Sequence, residues 1–164
     1  LGSAPLLKRL GLRIPLAAVH GYVISAAVRE QLDAPRSGVM DEQYKIAISR
    51  LGQRIRVSGG SELGGSATRH DPDMIKTLYR VLDDWFPGAA RTQTNVQIWK
   101  GSRPMLPDGP PIIGASGIPG VWLNLGHGSS GWALACGSAR AIADSIHGKS
   151  PDIDLQGLGL ERLH

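Results

Sequence analysis

A glycine-rich turn near the end of the chain carries the residues with the clearest chemistry. Gly126-His127-Gly128-Ser129-Ser130-Gly131 follows an apolar run at 121–125 and precedes a helical pattern at 132–146. A strand, a glycine turn and a helix in this order aim free backbone N–H groups and the positive end of the helix at an electron-rich ligand. The residues predicted to contact this ligand are Gly126, His127, Gly128, Ser129, Ser130, Gly131 and Trp132.

The turn does not predict an independent dinucleotide-binding fold. Such a fold needs a second parallel strand that ends in the acidic residue that binds the ribose. The residues after the helix, 147–164, are mostly polar and contain no obvious apolar strand. We therefore expect the turn to contact a cofactor whose main binding surface lies elsewhere.

Other kinds of catalytic site find little support in the sequence. His20 and His70 have no partner at the spacing of metal ligands, so no metal site is predicted. Ser129 and Ser130 do not lie in a G-x-S-x-G motif, which argues against a hydrolase nucleophile. We expect His127 to fix the turn by hydrogen bonding or to pack near the cofactor, and no catalytic residue is assigned.

Composition and charge exclude several classes of protein. The 164 residues, of which 41% are hydrophobic, fit one ordinary domain, and no apolar run approaches the length of a membrane span. The net charge is +4, but cations such as Lys76 and Lys100 are scattered, which predicts a solvated surface rather than a nucleic-acid-binding stripe. The single cysteine, Cys136, fits a reducing compartment and is expected to be a buried structural thiol. Because the chain opens on Leu1 rather than Met, we expect a piece of a longer protein.

Alternating apolar residues predict an antiparallel sheet between about residues 15 and 65. A strand is predicted over 19–24, and the runs 44–49 and 54–57 alternate on either side of Leu51-Gly52-Gln53. These two runs predict a hairpin with one buried face. A further strand is predicted over 95–100.

One helix is predicted between these strands. Asp71 is a suitable N-cap, Pro72 occupies the first helical position, and Asp73 complements the helix dipole. The apolar stripe of this helix comprises Met74, Ile75, Leu78, Leu82, Trp85 and Phe86. Strands joined by hairpins, with one helix packed on them, predict an α+β fold, followed by the C-terminal strand, glycine turn and helix.

The segment from Gly101 to Gly114 is dense in proline and glycine, which predicts a stiff connection. Arg103 would be held in a fixed orientation there, and arginine is the natural bidentate partner of a carboxylate. Composition alone leaves open that Arg103 caps a turn or pairs with a surface acid.

Two separated motifs resemble one protein family. They are Gly101-Ser102-Arg103-Pro104-Met105-x-Pro107-Asp108-Gly109-x-Pro111-Ile112-Ile113-Gly114 and Trp122-Leu123-Asn124-x-Gly126-His127-Gly128-x-x-Gly131-Trp132-x-x-Ala135-Cys136-Gly137-Ser138. Together with Gly21-Tyr22 and Asp41-Glu42-x-Tyr44-Lys45-Ile46 upstream, they resemble the C-terminal part of the small subunit of FAD-dependent D-amino acid dehydrogenases. These dehydrogenases belong to the D-amino acid oxidase and glycine oxidase superfamily. The resemblance extends over nearly the whole chain.

The resemblance implies three parts with different roles. Residues 1–9 would end a segment of the FAD domain, whose N-terminal half is missing from this sequence. Residues 10–100 would form the substrate-binding domain. Residues 101–164 would return to the FAD domain, where 126–132 would contact the FAD.

The resemblance also implies the roles of individual residues. Arg103 would bind the substrate carboxylate, and Tyr44 and Tyr22 would line the same pocket. In the absence of the FAD domain, we expect an exposed apolar surface on the C-terminal strand and helix, around Leu123, Leu125, Trp132 and Ala135.

The implied activity is the oxidation of D-amino acids, of the D-alanine type, to 2-oxo acids and ammonia by hydride transfer to FAD. The implied partners are the D-amino acid, the missing FAD domain and a quinone or membrane electron acceptor, without nucleic acid. The implied location is the cytoplasm, peripheral at the inner face of a membrane. Two alternatives stay open: a related amine oxidase for glycine- or sarcosine-type substrates, and a stand-alone binding module without redox chemistry.

Overall fold

The computed structural model describes residues 1–163, and these divide into two compact units. One unit is His20–Ser102, and the other is Leu1–Val19 together with the residues from Arg103 onward. The α-helices and strands are α1 (Ser3–Arg9), β1 (Ala17–Val28), β2 (Val39–Asp41), β3 (Ile46–Leu51), β4 (Arg54–Leu63), α2 (Pro72–Trp85), β5 (Ala90–Arg91), β6 (Gln97–Met105), β7 (Ile112–Ala115), β8 (Trp122–Leu125) and α3 (Gly131–Ile146). Within this range, no helix is long and apolar enough to cross a membrane.

An antiparallel sheet dominates the unit His20–Ser102. Its strands lie in the order β2-β3-β4-β1-β5, and β6 also pairs with β1. The predicted hairpin is confirmed, because β3 and β4 pair antiparallel with Ile48 opposite Val57. The alternation seen in the sequence gives this hairpin its buried face, which comprises Ile46, Ile48, Ile55 and Val57, each at most 2% exposed.

The helix α2 covers that buried face and begins where the sequence predicts. The Asp71 carboxylate accepts a hydrogen bond of 2.9 Å from the Asp73 amide, which satisfies one of the free donors at the helix start. Leu78 and Leu82 are buried against the sheet. Complete burial of one such side chain contributes roughly 1.5–3 kcal/mol, so α2 and the sheet stabilise one another mainly through this apolar contact.

The second unit has its own core beneath a two-stranded sheet and α3. The strands β7 and β8 pair antiparallel, and they pack with α1 and the C-terminal residues around Leu7, Leu106, Ile112, Leu123 and Leu160. The Arg162 guanidinium binds the Asp108 carboxylate at 2.6 Å and lowers the pKa of that carboxyl. This unit therefore joins residues from both ends of the described chain.

The structure corrects the sequence analysis at the ends of several strands. The strand β3 begins at Ile46 rather than Tyr44, because the Asp41 carboxylate accepts from the Tyr44 amide at 2.7 Å and Lys45 has a left-handed φ of 52°. The segment 101–114 is not a mere stiff connection, since β6 continues to Met105 and β7 starts at Ile112. Proline has no N–H to donate to a neighbouring strand, and Pro104 is nevertheless part of β6.

The helix predicted over 132–146 is confirmed as α3, which begins one residue earlier at Gly131, whereas the predictions for its burial are only partly right. Within the helix, Ser138 and Ala141 are the buried residues, whereas Cys136 is exposed. The expectation of a buried thiol is therefore incorrect. Trp132 is 97% exposed, as the predicted apolar surface requires, but Leu123 is only 2% exposed and belongs to the core of its own unit.

Candidate functional site

The glycine turn joins β8 to α3 and packs on the core of its own unit. Leu125 at the end of β8 lies opposite Ile112, and the chain then turns at Gly126, which has a φ of 81°. A Cβ at Gly126 would lie 2.5 Å from Leu106 Cδ1 and 2.9 Å from Leu106 Cγ. Only glycine allows the backbone to approach this buried leucine so closely, so the position of the turn is fixed by packing.

The first turn of α3 presents N–H groups that no side chain caps. A single 3₁₀ turn at Gly128–Ser130 leads into the helix, and the Ser130 amide donates to His127 O at 3.2 Å. The Ser130 side chain occupies the N-cap position without making a capping hydrogen bond. Because a helix N-terminus carries unpaired donors and a partial positive charge, this end of α3 suits a ligand with oxygen or nitrogen acceptors.

The imidazole of His127 lies beside this turn with one nitrogen unpaired. Its Nε2 atom is buried and has no hydrogen-bond partner among residues 1–163. Burial lowers the pKa of His127 below the usual 6.5, so the ring is neutral at pH 7. A buried polar atom without a partner costs free energy, and a bound group at this turn would relieve that cost.

A cavity of about 360 Å³ in the unit His20–Ser102 is lined by both Tyr22 and Tyr44. Small-molecule sites commonly enclose about 300–1,000 Å³, so this volume suits a small ligand. The other lining residues come from the turn between β2 and β3, from the sheet and from the first turns of α2, and they are Gln43, Ile46, Gly59, Gly60, Ser61, Met74, Thr77 and Leu78.

Tyr44, an exposed residue that lines this cavity, is held by its neighbours. The Arg80 guanidinium lies 4.5 Å from the centroid of the Tyr44 ring, a distance at which a cation is attracted to the ring. The Asp41 carboxylate accepts from Trp85 Nε1 at 2.8 Å and from the Tyr44 amide, and these two hydrogen bonds lower the pKa of Asp41. Asp41 thus anchors the turn that presents Tyr44.

Tyr22 lines the same cavity, is buried and is part of a charged network. The Tyr22 side chain is 1% exposed, and its hydroxyl donates to the Glu62 carboxylate. Glu62 also accepts from Lys100 Nζ at 2.6 Å. The sequence analysis assigned no site role to Glu62 or Lys100, because Glu62 lies 40 residues from Tyr22 and 38 residues from Lys100, and no local spacing reveals such contacts.

The predicted site residues therefore fall into separate groups. Tyr22 and Tyr44 share one cavity, and residues 126–132 form one turn at the start of α3. Arg103 lies half-buried in β6 and belongs to the second unit, the one that also contains the glycine turn. Its role toward a ligand stays a prediction. Residues 1–163 contain no group of His, Cys, Asp and Glu side chains that could hold a metal ion.

Comparisons with known proteins agree over nearly the whole chain. The chain is 48% identical over 164 residues to a D-amino acid dehydrogenase of Rhodopseudomonas palustris, with 99% of this chain and 38% of the relative covered. A D-amino acid dehydrogenase of Cereibacter sphaeroides is 46% identical over 160 residues, with 98% of this chain and 36% of the relative covered. The chain thus spans between 36% and 38% of the length of these curated relatives.

A solved structure shares the fold. The crystal structure of glycine oxidase from Geobacillus kaustophilus matches with a TM-score of 0.83 at 22% identity, covering 97% of this chain and 42% of that protein. At this identity the likeness concerns the fold alone. The family model described as DAO, FAD dependent oxidoreductase, matches residues 1–145. The chain therefore belongs to the DAO family of FAD-dependent oxidoreductases.

Proposed function

We propose that this chain is the C-terminal portion of a flavin-dependent D-amino acid dehydrogenase. The enzyme oxidises D-amino acids of the D-alanine type to 2-oxo acids and ammonia. The observation that carries the proposal is the match of almost the whole chain to relatives named D-amino acid dehydrogenase. The family assignment supports the cofactor, FAD.

The turn at residues 126–132 fits such a cofactor. The uncapped N–H groups at the start of α3 and the unpaired Nε2 of His127 suit a ring with several nitrogen and oxygen acceptors. When bound, FAD supplies the oxidant that accepts a hydride from the substrate α-carbon. The positive end of α3 stabilises negative charge placed against it. His127 is neutral and buried, and we assign it a role in holding the turn and the cofactor rather than in proton transfer.

The substrate contacts follow from the chemistry of an amino acid. The Arg103 guanidinium binds the substrate carboxylate, since its planar fork matches the two carboxylate oxygens. Tyr44 and Tyr22 line the pocket for the rest of the molecule, and their shared cavity supports this assignment. Tyr22 acts through the shape of its ring, because its hydroxyl is engaged with Glu62.

Two further partners belong to the proposal. The relatives are longer than this chain, and the additional residues would form the rest of the FAD domain. That domain would cover the exposed Trp132 and Leu134 of α3. A quinone or a membrane component accepts the electrons, and the protein lies in the cytoplasm, peripheral at the inner face of a membrane. Quinone reduction without oxygen consumption during D-alanine turnover would support a dehydrogenase, whereas stoichiometric hydrogen peroxide would indicate an oxidase.

Arg103→Ala in the full-length protein tests the substrate assignment. Loss of a desolvated charge pair typically costs about 2–5 kcal/mol, which corresponds to a roughly 30- to several-thousand-fold lower kcat/KM per bound flavin. Arg103→Lys keeps the charge without the fork, so it should restore only part of the activity. The exposed Arg91 provides the control, and Arg91→Ala should leave kcat/KM unchanged.

A matched pair of substrates separates binding of the carboxylate from general damage. Arg103→Ala should impair oxidation of a D-amino acid much more than oxidation of the corresponding amine without a carboxylate. Equal impairment of both substrates, or a loss of bound flavin that accounts for the whole effect, would contradict the assignment of Arg103.

A further inference from the structure

A buried lysine, Lys100, lies behind Tyr22 and has no role in the function proposed above. Its side chain is 1% exposed. Its Nζ atom donates to Glu62 Oε2 at 2.6 Å, to Ser66 O at 2.8 Å and to Arg69 O at 3.0 Å. An ammonium group has three donors and no acceptor, so these oxygens use all of its donors. Lys100 is therefore built to hold protein groups in place rather than to bind a substrate.

The network around Lys100 fixes the side chain of Tyr22. The Tyr22 hydroxyl donates to the Glu62 carboxylate and accepts from the Asp71 amide at 3.1 Å. The Lys100 Nζ atom also lies 5.1 Å from the centroid of the Tyr22 ring. Hydrogen bonds that involve a charged group are roughly twice as strong as neutral ones. Removal of the ammonium would leave the Glu62 carboxylate without its cation and would weaken the support of Tyr22.

Lys100 also fixes the segment 64–71, which joins β4 to α2. Two of its hydrogen bonds go to backbone carbonyls of this segment. The Ser66 hydroxyl tightens the same segment by accepting from the backbone amides two and three residues later, at 3.2 and 3.3 Å. Gly65 has a φ of 74°, and a Cβ there would collide with the Glu62 carboxylate. The segment is thus built closely around this ion pair and leads directly into the part of α2 that lines the cavity.

The two charges stabilise one another at neutral pH. Burial of Lys100 disfavours its charged form, but the hydrogen bonds with Glu62 and Tyr22 outweigh burial, and the pKa of Lys100 is raised. The hydrogen bond from Lys100, followed by that from Tyr22, lowers the pKa of Glu62. Both groups are therefore charged at neutral pH in the folded unit.

We propose that Lys100 is a positioning residue that holds Tyr22, a wall of the Tyr22–Tyr44 cavity, against the segment 64–71, which leads into the cavity-lining part of α2, and thereby limits the size of the substrate side chain. The specificity part of this inference rests on the proposed function, in which the cavity receives a D-amino acid. Without Lys100 the wall loosens, so the site binds D-alanine less well and admits larger side chains. The chemical step stays unchanged, because all three donors of Lys100 are used by the protein.

Three variants of the full-length protein test the proposal. Lys100→Met removes the charge at similar length. Lys100→Met combined with Glu62→Gln removes both charges, so no half-buried carboxylate is left unpaired if the single variant folds poorly. The control is Lys76→Met, which removes a lysine of the same unit whose ion pair with Asp73 is exposed.

Amide hydrogen exchange reports the positioning directly and needs no substrate. The Asp71 amide, which donates to the Tyr22 hydroxyl, should exchange about tenfold or more faster in both Lys100 variants, since a hydrogen bond to a charged group is lost from the network. The Phe86 amide, which donates to Leu82 O at the far end of α2, should keep its rate. Unchanged exchange at Asp71, or equal acceleration at Phe86, would overturn the positioning role.

Kinetics report the specificity. In the Lys100 variants, KM for D-alanine should rise about tenfold with kcat per flavin nearly unchanged, and kcat/KM for D-phenylalanine relative to D-alanine should increase. An unchanged ratio of the two substrates, or a fall of kcat with constant KM, would refute the role in specificity. A protein without any D-amino acid turnover would refute the proposed function instead, while the exchange rates at Asp71 would still decide the role of Lys100.

Discussion

Replacing Gly126 with alanine tests whether the glycine turn depends on the close approach of its backbone to Leu106. Gly126 has a φ of 81°, and a side chain in this left-handed region costs about 1–2 kcal/mol. The added Cβ would also lie 2.5 Å from Leu106 Cδ1, and such overpacking costs a further 1–3 kcal/mol, approximately. We expect Gly126→Ala to lower the free energy of unfolding of this unit by about 2–5 kcal/mol.

Gly120→Ala is the matched control for this variant. Gly120 lies in the same unit with a φ of 77°, but no atom lies within 4 Å of the Cβ position. It should therefore cost only the conformational part, about 1–2 kcal/mol. Amide hydrogen exchange in β7 and β8 measures the free energy of unfolding of this unit in both variants. The flavin content of the full-length protein measures the effect on cofactor binding. If the two variants lose the same stability, the close approach to Leu106 does not constrain the turn.

Two further predictions concern His127 and the exposed face of α3. Burial lowers the pKa of His127 below 6.5, so below this pH the unfolded state binds more protons at His127 than the folded state does, and the free energy of unfolding decreases. The variant His127→Gln should therefore lose less stability than the wild type between about pH 7 and about pH 5. Parallel denaturation profiles of the two proteins over this range would contradict the prediction. Trp132 is 97% exposed, so the 164-residue chain should self-associate as its concentration rises. In sedimentation experiments, Trp132→Ser should weaken this association. A wild-type chain that stays monomeric at all concentrations would contradict the prediction.

The elements that the sequence predicts well are those whose signals are local. The hairpin of β3 and β4 follows from alternation on either side of a turn, since a period of two places every second side chain on one face. The start of α2 follows from Asp71 and Pro72, whose effects act within one helical turn. In both cases the deciding interactions span only a few residues, and the structure agrees with the pattern.

The sequence-based predictions fail where the structure of a segment depends on residues that are distant in the sequence. The helix α3 is rich in alanine and glycine, and small residues do not reveal which face of a helix is buried, so the prediction that Cys136 is buried was wrong. The strand β7 was missed because proline and glycine surround it, although its pairing with β8 and its buried Ile112 define it clearly. The proline and glycine content of this segment predicts the turns on either side of β7, but it does not predict the strand between them.

The lysines of this chain show why a candidate site resists prediction from residue types. Lys76 and Lys100 both entered the sequence analysis as scattered surface cations. In the structure, Lys76 pairs with Asp73 three residues away and is 77% exposed, whereas Lys100 reaches Glu62 and is 1% exposed. An exposed pair of this kind is worth little because water and salt screen it. A buried cation must instead find an acceptor for each donor, so its partners are fixed in number and direction. The partners of Lys100 lie 31 to 38 residues earlier in the sequence, and the fold alone brings them to Lys100 beside Tyr22.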